Sequence, residues 1–115
     1  MPSAAETIIR AGYGDRFKKQ DRSLHFRVEI TKRDVDVISL VEEYNNFIGS
    51  DAAAMVGEIF EADAAYQVEF GREGSTVLYV WAKPGELKRV TNALRALHPD
   101  ELDPDGQNRM RAWWD

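Results

Sequence analysis

The chain of 115 residues contains no cysteine, and this absence excludes several kinds of chemistry at once. Disulfide bonds, thiolate nucleophiles and cysteine-ligated zinc sites all need a sulfur that the chain does not supply. A run of about 18 apolar residues is also missing, so no membrane-spanning helix is predicted. The first residues lack the pattern of a secretory signal. We therefore expect a cytoplasmic protein with no membrane partner, stabilised by packing alone.

Positive charge is missing from the middle of the chain. No lysine or arginine lies between Arg33 and Arg72, whereas that stretch holds nine acids. Eight bases and four acids give the first 33 residues a charge of +4, and seven bases and sixteen acids give the rest −9, in agreement with −5 for the chain. Such a field repels nucleic acid and attracts basic protein surfaces.

The length predicts one core, because 115 residues are about one ordinary domain. Ser3 and Glu6 have the capping-box spacing, which predicts a short helix before Gly12. The polar and basic stretch that follows has only Tyr13 and Phe17 as anchors. We therefore predict an N-terminal helix and basic arm over 1–22 and a single α+β domain over 23–115.

Alternating apolar residues predict strands at 23–30 and 66–70, and a stretch that is apolar on both faces predicts a central strand at 76–82. Two amphipathic helices are predicted between the first two strands, one ending near Ile48 and one capped by Ser50 or Asp51. Pro84 is expected to open a further helix with a core stripe of leucine and valine. The pattern at 109–114 fits a strand or a helical turn, and we favour the strand. The order β-α-α-β-β-α-β predicts a ferredoxin-like split βαβ sandwich, with a bipartite first crossover and an extra N-terminal helix.

The exposed faces of the two helices in the first crossover are acidic. Helix surfaces usually mix both signs of charge to gain pairs between residues four apart, and these forgo them. The faces are either ordinary solvated surface or a docking surface that imitates the phosphates of nucleic acid and occupies the basic groove of a partner. Of the adjacent tryptophans near the end, one can lock the chain to the core and the other can anchor an interface. The predicted partner-binding residues are Asp36, Glu42, Glu43, Asp51, Glu58, Glu61 and Trp113.

A second candidate surface is the face of the sheet away from the helices. Aromatic rings interleaved with arginines are suited to stacked bases, which makes RNA or single-stranded DNA the second choice of partner. Sheet-to-sheet dimerisation or coverage by the N-terminal arm are the structural alternatives. The residues predicted for the nucleic-acid face are Arg27, Tyr79, Trp81, Arg109 and Arg111.

The sequence gives little support to catalysis. The two histidines, His25 and His98, have no spacing that would pair them as metal ligands or with a nucleophile. The stretch from Glu101 to Gly106 resembles the first half of a calcium loop, but Ala112 stands where a bidentate glutamate is needed. Dinucleotide and phosphate-loop signatures are absent. We expect no enzyme activity, no cofactor and no metal.

In size, acidity and lack of cysteine the chain is similar to small stoichiometric inhibitors such as anti-CRISPR and toxin-immunity proteins of phages and bacteria. This resemblance is compositional and rests on no motif. It implies a non-enzymatic module, monomeric or homodimeric, that blocks a basic groove of a partner protein. The alternatives are the nucleic-acid binder described above and a dimeric ligand-sensing regulatory domain.

Overall fold

In the described part of the computed structural model of the protein, five β-strands form one antiparallel sheet and two α-helices pack on one of its faces. The structure describes residues 25–40 and 46–115, so the predicted N-terminal helix and basic arm, and also Glu42 and Glu43, lie outside the described residues. The elements are β1 (His25–Glu29), a 3-10 helix (Val35–Leu40), α1 (Gly49–Glu61), β2 (Ala65–Glu73), β3 (Thr76–Ala82), α2 (Leu87–Arg95), β4 (Glu101–Pro104) and β5 (Arg109–Trp114).

The α+β character is as predicted, but the ferredoxin-like layout is not confirmed. In a split βαβ arrangement, the two strands that a helix joins run parallel and another strand lies between them. Here the order is β1-β2-β3-β5-β4, and every neighbouring pair in the described sheet is antiparallel. The chain leaves β1, passes through the 3-10 helix and α1, and returns beside β1 in the opposite direction. The sheet therefore has one helix-covered face and one face without the helices.

The central strand β3 shows how the two faces divide. Leu78, Val80 and Ala82 are buried beneath α1 and α2 in the main core. Because successive side chains of a strand point to opposite faces, Tyr79 and Trp81 lie on the other side. On β2 the alternation is broken by a register shift between Ala65 and Gln67. Tyr66, one of the alternating apolar residues of the strand predicted at 66–70, is consequently 58% exposed.

The first crossover departs from the predicted pair of long helices. In its described part, which omits residues 41–45, a 3-10 helix occupies Val35–Leu40. Phe47 is buried at the start of an extended connection to α1. The backbone of Ile48 is extended (φ −118°, ψ 108°) and its side chain is 39% exposed. The predicted helix end near Ile48 is therefore wrong. No side-chain cap begins α1, so the predicted capping role of Ser50 or Asp51 is wrong as well.

A turn, not a helix, contains Pro84. The amide of Glu86 donates to the carbonyl of Lys83 at 2.9 Å, and Gly85 between them has φ +81°. Proline and then a glycine with positive φ at the two central positions are typical of a type II turn. The helix α2 starts only at Leu87, and Val90 and Leu94 are buried in the main core as predicted.

The end of the chain is a strand, as favoured from the sequence. β5 lies between β3 and β4, and Trp114 is fully buried on the helix-covered face. Its ring meets that of Phe47 edge to face, with centroids 5.0 Å apart, and its indole N–H donates to the carbonyl of Leu97 at 2.9 Å. The tail therefore belongs to the core. The four-residue edge strand β4 was not predicted.

Candidate functional site

On the face of the sheet away from the helices, one glycine allows a contact across two strands. Arg27 of β1 lies opposite Gly71 of β2 in the register. Because Gly71 has no side chain, Arg27 can cross β2, and its guanidinium carbon lies 4.3 Å from the centroid of the Tyr79 ring on β3. Neighbouring strands are about 4.8 Å apart, so the contact spans two strand spacings. Arg27 also forms an ion pair with Glu69 at 3.5 Å.

Glu73 and Arg111 connect four strands on the same face. Arg111 of β5 lies 3.0 Å from the Glu73 carboxylate of β2 and 2.9 Å from that of Glu101 on β4. The Tyr79 hydroxyl of β3 donates to the Glu73 carboxylate, with oxygen distances of 2.9 and 3.0 Å. Burial disfavours the charge of Arg111, but its hydrogen bonds to Glu101 and Glu73 outweigh this effect and raise its pKa. Arg111 therefore stays charged at neutral pH.

Arg109 completes the aromatic part of this face. Its guanidinium carbon lies 5.0 Å from the centroid of the Trp81 ring and 5.4 Å from that of Tyr79. Its ion pair with Asp105 measures 2.7 Å. The structure thus gathers all five residues predicted for a nucleic-acid face. Each of the three arginines among them, however, is paired with a carboxylate of this chain.

The phenol of Tyr79 should ionise at a higher pH than an ordinary tyrosine. Burial, followed by the hydrogen bond to Glu73, raises its pKa above the ordinary value of 10.0. A raised pKa means that the neutral phenol stabilises the folded state below the unfolded-state pKa, and that this stability is lost as pH rises through the folded-state pKa. We expect the absorbance titration at 295 nm to lose a phase above the ordinary value of 10.0 in Tyr79→Phe. An unchanged titration curve would contradict this assignment.

The predicted acidic surface is only partly assembled. Asp36 on the 3-10 helix and Asp51 and Glu58 on α1 are exposed and form no ion pair within the described residues. Asp51 and Glu58 are seven residues apart, which is about 10 Å along a helix. Glu61, in contrast, pairs with Lys32 at 2.9 Å. That hydrogen bond lowers the pKa of Glu61.

Trp113 does not belong to this acidic surface. It lies on the face of the sheet away from the helices, opposite Val77 of β3 in the register. Its indole N–H donates to the backbone carbonyl of Glu73 at 3.1 Å. The adjacent tryptophans do point to opposite faces, but Trp113 is held within the network described above. The structure therefore separates it from Asp36, Asp51 and Glu58.

Two depressions border α1. A shallow groove of about 410 Å³ lies between the 3-10 helix and α1, and its lining includes Asp36 and Gly57. A smaller and more enclosed pocket of about 230 Å³ lies between the start of α1 and the end of α2. We name the second the interhelix pocket; its lining residues are Asn46, Phe47, Ile48, Asp51, Ala52, Ala96, Leu97 and His98. Asp51 therefore belongs to both the acidic surface and the interhelix pocket.

Within residues 25–40 and 46–115 no group of three or more histidines, aspartates and glutamates could hold a metal ion. No helix in the same ranges is long and apolar enough to cross a bilayer. Comparisons with protein-family models, curated proteins and solved structures find no match to the chain. Function must therefore be argued from the surfaces alone.

Sequence reasoning missed the residue that links the sheet network. The strand predicted at 66–70 stops short of Glu73, whereas Glu73 is the last residue of β2 and contacts Tyr79, Arg111 and Trp113. Arg111 is 38 positions away in the chain, so only the strand register brings the two together. The interhelix pocket was missed for a similar reason, because it joins residues of α1 and α2 that share no motif.

Proposed function

We propose that the protein is a non-enzymatic binding module that uses the acidic surface of α1 and the 3-10 helix to occupy a basic, nucleic-acid-binding groove of a partner protein. In this proposal it acts in the cytoplasm as a stoichiometric inhibitor or adaptor, as a monomer or homodimer. The blockade is steric and electrostatic, and no cofactor takes part.

The observation that supports this proposal is the uneven pairing of acids. Glu69, Glu73 and Glu101 on the sheet are neutralised by arginines of this chain. Asp51 and Glu58 on α1 form no ion pair within the described residues. Carboxylates without an internal partner retain their field, and such a field accelerates association with a positively charged surface and favours it over other surfaces.

The nucleic-acid alternative has the aromatic rings in its favour but not the charge. The strands and turn of that face contribute three arginines, and these are outnumbered by the six acids Glu29, Glu69, Glu73, Glu101, Asp103 and Asp105. Binding to phosphates depends on unpaired cations that release counterions. We therefore rank nucleic acid second and protein first. A dimeric ligand-sensing role has no comparable support.

Charge reversal tests the proposal. We expect wild-type protein to capture a nuclease-resistant, salt-sensitive protein partner from native host lysate at a one-to-one ratio. The double variant Asp51→Lys/Glu58→Lys should bind the purified partner about 100-fold more weakly, because like charges across an interface cost several kcal/mol. Isothermal titration calorimetry with the purified partner measures this loss.

The matched control is Glu29→Lys/Asp103→Lys on the face away from the helices. Both double variants change the net charge from −5 to −1, so a general charge effect would weaken them equally. Only the α1 variant should lose binding while its circular dichroism melt stays unchanged. Equal losses of partner affinity in both variants, or no loss in either, would exclude the acidic surface as the binding site. Fluorescence anisotropy with single-stranded RNA and DNA tests the alternative, for which Trp81→Ala is the diagnostic variant.

A further inference from the structure

We propose that the interhelix pocket receives one arginine side chain of the basic partner. This inference rests on the proposed function, because it names the contact by which the partner would be anchored beside α1. Asp51 connects the acidic surface with the interhelix pocket, since it is exposed on α1 and also lines the pocket.

The floor of the interhelix pocket suits an aliphatic stem. Ala96 is exposed and Leu97 is 9% exposed, so these two residues offer apolar surface to such a stem, whereas Phe47 and Ala52 lie behind them at 1% exposure or less. Long basic side chains bury their methylene groups on apolar surface while the charged head stays near polar groups. A volume of about 230 Å³ is small for an organic ligand, for which about 300–1,000 Å³ is usual. A single inserted side chain is the better match in size.

The rim of the interhelix pocket supplies acceptors for the charged head. Asp51 offers a carboxylate and Asn46 an amide oxygen, and both residues are exposed. Neither lysine nor arginine is among the described residues that line the pocket. Arginine fits better than lysine because its planar guanidinium carries five donors in a fixed fork, whereas an ammonium group is a compact point charge.

Ile48 gives the pocket an apolar lip. It is 39% exposed, and only Tyr66 joins it as an exposed large hydrophobic residue in the described parts of the chain. Interface residues that contribute most to binding are enriched in arginine, fill pockets and are surrounded by contacts that exclude water. A partner seated on Ile48 would cover the mouth of the pocket and exclude water from the Asp51 ion pair. The lip and the carboxylate therefore favour the same occupant.

A peptide titration tests the chemistry of the pocket without the partner. The probe is acetyl-Ala-Arg-Ala-amide, added to ¹⁵N-labelled protein, with the equivalent citrulline, lysine and norleucine peptides as comparators. We expect the arginine peptide to shift the amide signals of Ile48, Asp51 and His98. Citrulline has nearly the same shape without the charge, so it should bind about tenfold more weakly. Asp51→Asn should abolish the preference for arginine.

Equal shifts with the norleucine or citrulline peptide would overturn the proposal, because the pocket would then select apolar bulk and not a cation. Equal shifts with the lysine peptide would overturn the choice of arginine. Amide signal shifts that spread over the acidic surface but are absent from the pocket would show nonspecific attraction. That result would also overturn the proposal.

A second experiment separates this inference from the proposed function. Ala96 lines the pocket and is exposed, so Ala96→Trp can fill the cavity without altering any charge. We expect it to weaken partner binding about tenfold or more, whereas Gln107→Trp in the exposed β4–β5 turn should have no effect. If Ala96→Trp binds normally while Asp51→Lys/Glu58→Lys does not, the pocket proposal is wrong and the acidic surface stands. If neither variant loses binding, both are wrong.

Discussion

Trp114→Ala is expected to lower the free energy of unfolding by about 3–5 kcal/mol, a large part of the roughly 5–15 kcal/mol that stabilises a domain. The side chain is 0% exposed, so truncation leaves a large cavity beneath the helices. It also removes the edge-to-face contact with Phe47 and leaves the Leu97 carbonyl without its indole donor. Urea denaturation followed by circular dichroism measures the loss.

Two further variants separate the causes of the stability loss expected for Trp114→Ala. Trp114→Phe keeps an aromatic ring but removes the indole N–H, and should cost about 1–3 kcal/mol, the penalty for a buried carbonyl left unpaired. Trp113→Ala removes a tryptophan that is only partly buried, on the other face of the sheet, and should cost less than Trp114→Ala. A larger loss for Trp113→Ala would show that the face away from the helices, and not the main core, holds the end of the chain.

Arg111→Ala is expected to cost about 1–3 kcal/mol, because it removes the cation that pairs with both Glu73 and Glu101. The arginine side chain is 22% exposed, so the loss should fall below that of a fully buried ion pair. Part of the loss comes from the remaining Glu73 carboxylate, which keeps Tyr79 as a donor but loses its counter-ion. Urea denaturation at low and high salt measures this loss of stability. The difference in unfolding free energy between wild type and Arg111→Ala should be smaller at high salt.

A double-mutant cycle isolates the contribution of the Arg111–Glu73 pair. Glu73→Gln and Arg111→Ala should be non-additive by about 1 kcal/mol or more, because the two side chains are in direct contact. Arg95→Ala is the control, since this exposed arginine of α2 donates a hydrogen bond to its helix neighbour Asn92 and should change stability by less than about 0.5 kcal/mol. Strict additivity of the first pair would mean that the sheet network contributes little.

Elements with a strong local pattern could be predicted from the sequence. The stretch at 76–82 is apolar at nearly every position, and this pattern identified β3 as a central strand with neighbours on both sides. Period two at 109–114 identified β5, although it could not exclude a short helix. The core stripe of α2 was equally clear, with Val90 and Leu94 buried.

Other elements depended on contacts that are distant in the chain. β4 has only four residues, and only Leu102 among them is partly buried, so no repeating pattern could reveal it. The strand order could not be read either, because apolar spacing shows which face of an element is inward but not its neighbour. The 3-10 helix shares the apolar positions of an α-helix over one or two turns, which explains why a longer helix was predicted there.

For the candidate surfaces, the sequence could predict the face on which a residue lies but not the residues of other elements that contact it. Alternation along β1, β3 and β5 was enough to place Arg27, Tyr79 and Arg111 on one face. It could not show that carboxylates from other strands would neutralise these arginines, since that depends on register. Opposite ends of α1 and α2 form the interhelix pocket, and no local signal predicts how two helix ends meet.

The short strand β4 limits how the protein can associate with other chains. An exposed strand edge can add a strand from another molecule through its backbone, which is the route both to fibrils and to peptide capture by strand addition. β4 is the last strand at its side of the sheet, and it ends in Pro104, which has no N–H to donate. The exposed Asp103 adds negative charge along the same four residues. That edge is therefore poorly suited to strand addition by a second copy of the chain. A partner at this edge would make side-chain contacts in place of a row of backbone hydrogen bonds.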